Sequence, residues 1–226
     1  MRAQARPFTA IVAAALLGVW PGAAADFSGR VELLEKGKPS TDKTLAVDAT
    51  VVVFTPARAV PAPKPVTVDM VTVRKAFLPR ILVVPVGSTV RFPNQDPILH
   101  NVFSVSGEGF DLGLYKRPKS GSRTFDKPGV YTLYCNIHPQ MSATVVVRDN
   151  PYFAAAAKDG SFRIAGVPAG EYKLVAYHDR AGESVPVGVK VSAAAGTAVN
   201  LSLDASTYKR VAHKNKFGKD YGKEAY

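Results

Sequence analysis

The sequence is poor in sulfur and in histidine. Its 226 residues include one cysteine, three methionines, four histidines and one tryptophan. A single cysteine excludes an intrachain disulfide framework and any multi-thiolate metal cluster. The shortage of Met and His leaves no Met- or His-rich tract of the kind that passes metal from hand to hand. Acidic residues are also scarce, with 18 Asp+Glu against 29 Lys+Arg. That balance predicts attraction to acidic partners or anionic surfaces and says nothing about fold. No basic-aromatic recognition motif accompanies the charge, so nucleic acid is not an expected partner. No segment shows a convincing helical period, although Ala154 to Ala157 is compatible with a single helical turn.

The one apolar run stands at the N-terminus. Arg2 and Arg6 form a basic flank, Ile11 to Trp20 an apolar stretch, and Ala23-Ala24-Ala25 a small-residue cleavage site. Residues 1–25 therefore read as a signal peptide, too short and wrongly flanked for a membrane span, with an uncleaved anchor as the alternative. The expected location is the periplasm, and no transmembrane span is expected in the mature chain. Cleavage would remove Arg2 and Arg6 and no acid, leaving a formal charge of 27 − 18 = +9. An unpaired cysteine is unusual in an oxidising compartment, because it invites intermolecular disulfides. A thiolate held by a metal and buried would be protected.

What the chain has in abundance is short Val-rich runs punctuated by Gly, Pro and Asp. Those runs are Gly29 to Leu34, Thr50 to Phe54, Val66 to Arg74, Arg80 to Val86, Thr89 to Phe92, Leu99 to Ser104 and Ser122 to Phe125. Val130 to Cys135, Ala143 to Arg148, Ser161 to Ile164, Glu171 to His178, Val187 to Ser192 and Ala198 to Leu203 continue the series. Many short strands with regular turn signals predict an all-β chain of sandwiches or barrels.

Chemistry concentrates in Cys135-Asn136-Ile137-His138-Pro139-Gln140-Met141. A thiolate, an imidazole and a thioether fall there at three-residue intervals. The Pro128-Gly129 turn and the alternating run Val130 to Tyr134 deliver Cys135 at a strand end. A second imidazole, His100, lies in the extended run Ile98 to Phe103. One Cys, two His and a weaker Met make the donor set of a blue-copper electron-transfer site.

Residues 70–148 resemble the cupredoxins, most nearly the amicyanin-like and plastocyanin-like members often labelled methylamine-utilisation proteins. The matching residues are Phe92-Pro93-Asn94, His100-Asn101-Val102, Phe110-Asp111-Leu112-Gly113, Pro128-Gly129-Val130-Tyr131 and the Cys135 to Met141 loop. The resemblance implies a Greek-key β-sandwich and a copper ion. It implies His100, Cys135 and His138 as equatorial ligands and Met141 as the axial one. It makes Asn101 a brace donating to the segment around Cys135, with backbone N–H groups near Asn136 to His138 against the sulfur and Pro139 fixing the loop. Pro97, Ile98, Leu99 and Pro139 would form either core or an apolar electron port around His138. Nothing in the sequence ties the chain to methylamine.

Residues 151–205 carry Gly160-Ser161-Phe162-Arg163-Ile164, Val167-Pro168-Ala169-Gly170 and Tyr172-Lys173-Leu174. They resemble the carboxypeptidase regulatory, transthyretin-like sandwich. Four strands alone bury too little apolar surface. Residues 27–60 are expected to complete this second sandwich, with residues 66–148 inserted between the two parts. Pro56, Pro61, Pro63 and Pro65 form the entry linker, and Asn150-Pro151 the exit. The competing arrangement assigns 27–60 to the cupredoxin unit.

His178, beside Asp179, reads either as a second ligand or as a locally bonded strand-end histidine; His213 has the same two readings. The tail, residues 206–226, is basic with interspersed aromatics and reads as solvated, or as a contact for an anionic surface. The expected function is a one-electron carrier that is not an enzyme and works with a redox partner protein, one with an acidic docking surface. The alternatives are copper delivery and a non-redox docking module.

Overall fold

The computed structural model describes residues 24–42, 45–192, 198–206 and 213–221. The proposed signal peptide falls almost entirely outside the described residues; only Ala24 and Ala25 lie within them, at the start of a strand. The chain is all-β. Its one helical element among the described residues is the short 3-10 turn Val47–Ala49. No helix there is long and apolar enough to cross a membrane.

Strands sort into two sets. In the first set, Ala24–Glu35 lies between Ser161–Pro168, which it pairs antiparallel, and Ala198–Asp204, which it pairs in parallel. A facing sheet holds Phe153–Ala155, Thr50–Pro56, Gly170–His178 and Val187–Val191. Between the two sheets Phe27, Phe54, Phe162, Ile164, Tyr172 and Leu174 pack into one apolar core. Phe27 and Phe54 meet edge to face, with ring centroids 4.6 Å apart. Each such side chain contributes about 1.5–3 kcal/mol by leaving water. Gly29 permits the close fit. A Cβ there would sit 2.2 Å from the Val199 carbonyl oxygen and 2.6 Å from the Phe162 ring.

The second set draws only on residues 67–148. Its main sheet runs in the order Phe110–Tyr115, His100–Ser104, Gly129–Tyr134, Ser142–Arg148, Ile81–Pro85. Ser120–Phe125, Ser88–Pro93 and Thr67–Asp69 form the opposing sheet, joined by the hairpin Val71–Val73 and Ala76–Leu78. Met70, Phe77, Phe92, Val102, Leu133 and Val145 fill the space between. The Pro85-Val86-Gly87-Ser88 turn needs its glycine, since Gly87 has φ +80°.

Thr50–Pro56 explains how the two sets meet. Its run Thr-Val-Val-Val-Phe is buried at every position. Val52 and Phe54 face the core of the first set. Val51 and Val53 face the other way, onto Ile81 and Val146 of the second. A strand covered on both faces reads as a continuous apolar run rather than an alternation.

Two expectations for local structure are corrected. Ala154 to Ala157 does not form a helical turn; Phe153–Ala155 is a strand whose backbone pairs with Val51, Val52 and Val53. Nor is Val66 to Arg74 one strand. Met70 is fully buried and interrupts it, so the chain contributes to a sheet before it and to a hairpin after it.

Candidate metal centre

Three elements deliver the donor side chains to one end of the central sandwich. His100 opens the strand His100–Ser104, Cys135 follows directly on Gly129–Tyr134, and His138 and Met141 lie in the turn before Ser142–Arg148. The loop is closed by its own backbone: the Met141 N–H donates to the His138 carbonyl at 3.0 Å, and the Cys135 N–H to the Met141 carbonyl at 3.2 Å. Pro139 is buried within it.

One imidazole nitrogen from each histidine faces the sulfur. Cys135 Sγ is 3.5 Å from His138 Nδ1 and 4.0 Å from His100 Nδ1. The ligand atoms of His100, Cys135 and His138 all lie within 4.8 Å of one another. Met141 is 1% exposed and packs in the same core as Cys135. A soft thiolate, two imidazoles and a neighbouring thioether suit copper better than a hard cation. Of the four residues singled out by sequence, His100, Cys135 and His138 converge, and Met141 lies in the same buried core as Cys135.

Electrostatics prepare the donors. Burial pushes the His138 pKa down to about 4, helped by the neighbouring His100, which disfavours a second proton on the pair, and by the charge of Lys75. Burial also lowers the pKa of His100, although Asp96 pulls the other way. Both rings are thus neutral near pH 7 and keep a lone pair to offer. Burial raises the Cys135 thiol, opposed by the backbone N–H groups of Ile137, Asn101 and His138. Those N–H groups sit where a thiolate would use them.

Asp96 belongs to the candidate site although its sequence context does not single it out. Its carboxylate oxygen lies 2.8 Å from His100 Nε2. Accepting that N–H leaves His100 Nδ1 free to face the sulfur, the arrangement by which a carboxylate fixes a ligand histidine. Asp96 is itself held by the N–H groups of Arg74 and Lys75, at 2.7 and 2.9 Å. Burial raises its pKa, but those N–H groups and His100 outweigh burial and keep it below the usual carboxylate range. Asn94 completes the loop, accepting from the Asp96 N–H and donating to the carbonyls of Ile98 and Tyr115.

Asn101 braces in a different sense from the one expected. Its Oδ1 accepts from the Asn136 N–H at 3.2 Å. Its Nδ2 donates to Asp111 Oδ1 and to the Gly113 carbonyl. The donated bonds therefore go to the neighbouring strand, and the Cys135 segment is the donor. Asn136 in turn uses its side-chain oxygen to accept from the Lys216 N–H at 2.8 Å.

Of the apolar residues named for a port, Ile98 and Leu99 are 38% and 45% exposed, Pro97 is exposed, and Pro139 is core. His178 lies in the other sandwich, far from this constellation in the topology. Its ring nitrogens are occupied by backbone: Nε2 donates to the Ala46 carbonyl, and Nδ1 accepts from the N–H groups of Arg180 and Ala181. His213 is brought to the site's flank, where its ring lies against Tyr134 with centroids 4.4 Å apart. The described part of the tail, 213–221, is thus packed against Tyr134, Cys135 and Asn136 and is not solvated throughout.

No family model matches the chain. A curated relative, amicyanin from Paracoccus denitrificans, is 37% identical over 68 residues, which are 28% of this chain and 52% of amicyanin. The chain thus spans about half the length of that relative. Among solved structures, a reduced amicyanin variant is 30% identical over 35% of this chain and 80% of its own, with a TM-score of 0.34. A purple cupredoxin from Nitrosopumilus maritimus is 31% identical over 33% of this chain and 84% of its own, with a TM-score of 0.31. A copper-containing nitrite reductase from Thermus scotoductus is 31% identical over 42% of this chain but only 24% of its own, with a TM-score of 0.34. The similarity found is to amicyanin and other cupredoxins, and it extends over less than half of this chain.

Proposed function

We propose that this protein is a periplasmic one-electron carrier with a type 1 copper site held by His100, Cys135, His138 and Met141. The observation that carries the reading is the convergence of two neutral, buried imidazoles on the one cysteine sulfur. The amicyanin similarity supports it. Copper bound there would supply a Cu(I)/Cu(II) couple. The residues supply a cage that changes little between the two states. Asp96 fixes His100, Asn101 ties the strand bearing His100 to the loop bearing Cys135, and the buried Pro139 stiffens that loop.

Four protein donors leave no open position for a substrate, which argues against an enzyme. Copper delivery is the second reading. Burial favours the carrier, because Cys135 and His100 are fully buried and His138 is 8% exposed, whereas a cargo ion needs donors that an acceptor can reach. Pro97, Ile98 and Leu99 form the apolar surface nearest the ligand loops. Arg74, Lys75, Lys116, Arg117 and Lys119 are exposed on the segments bonded to this end of the sandwich. That combination suits a redox partner with an acidic docking surface. The other sandwich, which we read as transthyretin-like, would serve as a docking or structural module, and export would follow from residues 1–25.

The test is the visible spectrum and EPR of the Cu(II)-loaded protein beside Cys135→Ser. An intense thiolate-to-copper absorption with narrow copper hyperfine splitting, absent from the variant and accompanied by reversible voltammetry, is the expected result. An ordinary tetragonal Cu(II) spectrum would sink the carrier reading.

A further inference from the structure

The segment 213–221 makes contacts that the four donors do not explain. Its backbone and side chains close a polar circuit around the metal loop. The Lys216 N–H donates to Asn136 Oδ1 at 2.8 Å, and the Asn136 N–H donates to Asn101 Oδ1 at 3.2 Å. Asn101 Nδ2 donates to Asp111 Oδ1 at 2.6 Å, and Lys216 Nζ returns to the other oxygen of the same carboxylate at 2.5 Å. Asn101 is the neighbour of His100, and Asn136 is the neighbour of Cys135. The circuit therefore joins the element that carries one ligand to the element that carries another, and Lys216 is the link that shuts it.

A second contact reaches the ligand residue itself. Tyr221 Oη donates to the Cys135 carbonyl at 2.6 Å. The same oxygen lies 3.1 Å from His213 Nδ1, whose ring lies edge to face with Tyr221 and tilted over Tyr134. The segment is tied down on its own account. Asn215 Oδ1 accepts from the N–H groups of Phe217 and Lys219, and Lys214 pairs with Asp220. A short, internally braced turn thus presents one hydroxyl and one lysine to the back of the loop. Chain ends settle in this way only where they gain specific partners.

We propose that residues 213–221 form a strap that belongs to the metal site, with Tyr221 and Lys216 as positioning residues that hold the Cys135 loop against the His100 strand. The strap acts through the backbone of Cys135 and the side chain of Asn136. It fixes where the sulfur sits and how well the N–H groups of Ile137 and His138 reach it. This inference rests on the copper reading for its spectroscopic consequences but not for its mechanical one.

The single cysteine makes the mechanical part directly measurable. In the metal-free full-length protein, Cys135 reacts with an aromatic disulfide reagent only when the loop opens. Tyr221→Phe combined with Lys216→Ala is expected to speed that reaction about tenfold, the effect of losing one or two net hydrogen bonds from the closed state. Lys216→Arg keeps the charge opposite Asp111 and should restore much of the protection. Lys219→Ala, on the same segment with its side chain exposed, should leave the rate unchanged. In the copper-loaded protein the double variant should also shift the thiolate-to-copper band and the reduction potential, while Lys219→Ala shifts neither. Equal thiol rates in the double variant and the parent would overturn the strap, whatever the metal does. A parent protein without the thiolate-to-copper band would overturn the copper reading instead, and the thiol rates would still decide the strap.

Discussion

His100 shows how little of a histidine's behaviour lies in its own ring. An imidazole has two nitrogens, and either can carry the proton. Here Asp96 takes the Nε2–H, and two backbone N–H groups hold Asp96. The ring is thereby oriented by the protein alone. Asp96→Asn preserves the shape but removes the carboxylate's charge and one certain acceptor. An amide can present its NH2 group to Nε2, which would move the ring proton to Nδ1, the atom that faces the sulfur. Copper affinity should fall by roughly 10–100-fold, the usual cost of losing a carboxylate behind a ligand histidine. Competition against a chelator of known affinity measures this, and an unchanged affinity would show that Asp96 only closes its loop. Sequence gave no route to this residue, because Asn94-Gln95-Asp96-Pro97 reads equally well as an ordinary turn. The candidate donors stand out in the sequence for the opposite reason. Cys135, His138 and Met141 are consecutive chemistry on one short segment, and no common structural motif requires that spacing.

Strands show a similar division. Alternating and Val-rich runs identify most of them, since side-chain period and turn residues are local properties. Strands made by their partners are harder to see. Phe153–Ala155 is an Ala-rich stretch that becomes a strand because Thr50–Pro56 offers it a free edge. The tail was equally opaque, because Lys and Tyr scattered without period look solvated until Asn136, Asp111 and the Cys135 carbonyl are seen to receive them. His178 supplies a pH-dependent consequence at this scale. It ends the strand Gly170–His178 with its ring fully buried and Nδ1 accepting two backbone N–H bonds. Burial lowers its pKa below 6.5, aided by Arg80 and Arg180 and opposed by Asp179 and the Ala46 carbonyl. The folded state therefore holds the neutral ring, and the unfolded chain takes up a proton first as pH falls. Stability from this group is complete well above pH 6.5 and declines below it, by at most about 1.4 kcal/mol per pH unit, until the folded pKa is reached. Denaturant unfolding of the parent and of His178→Gln at pH 7.5 and 5.5 tests the sign. The variant should start less stable and lose less on acidification; an equal loss in both would assign the pH dependence to other groups.

At the scale of the whole molecule, the two sandwiches share a strand's two faces and a chain that passes out and back. Thr50–Pro56 and Phe153–Ala155 are antiparallel partners, with Phe153 opposite Val53 and the Phe54 N–H bonded to the Tyr152 carbonyl. The chain therefore leaves one sandwich just after Pro56 and re-enters it near Asn150, beside the point of departure. In topological terms residues 67–148 occupy a hairpin connection. Replacing residues 58–149 by a short Gly-containing turn should leave a soluble chain that unfolds cooperatively, since the core of Phe27, Phe54, Phe162, Tyr172 and Leu174 loses only the partly buried Val60 with the excised segment. It should also be less stable than the parent, because Val51 and Val53 lose Ile81 and Val146 and face water. Arg80 would no longer be present to pair with Asp179, leaving that carboxylate with Arg180. Circular dichroism of a β chain with a single broad-free melting transition would support an insertion into a self-sufficient sandwich. A disordered product would mean that the two units form one folding entity. In that case the apolar seam along Val51, Val53, Ile81 and Val146 is a part of the core that neither unit can spare.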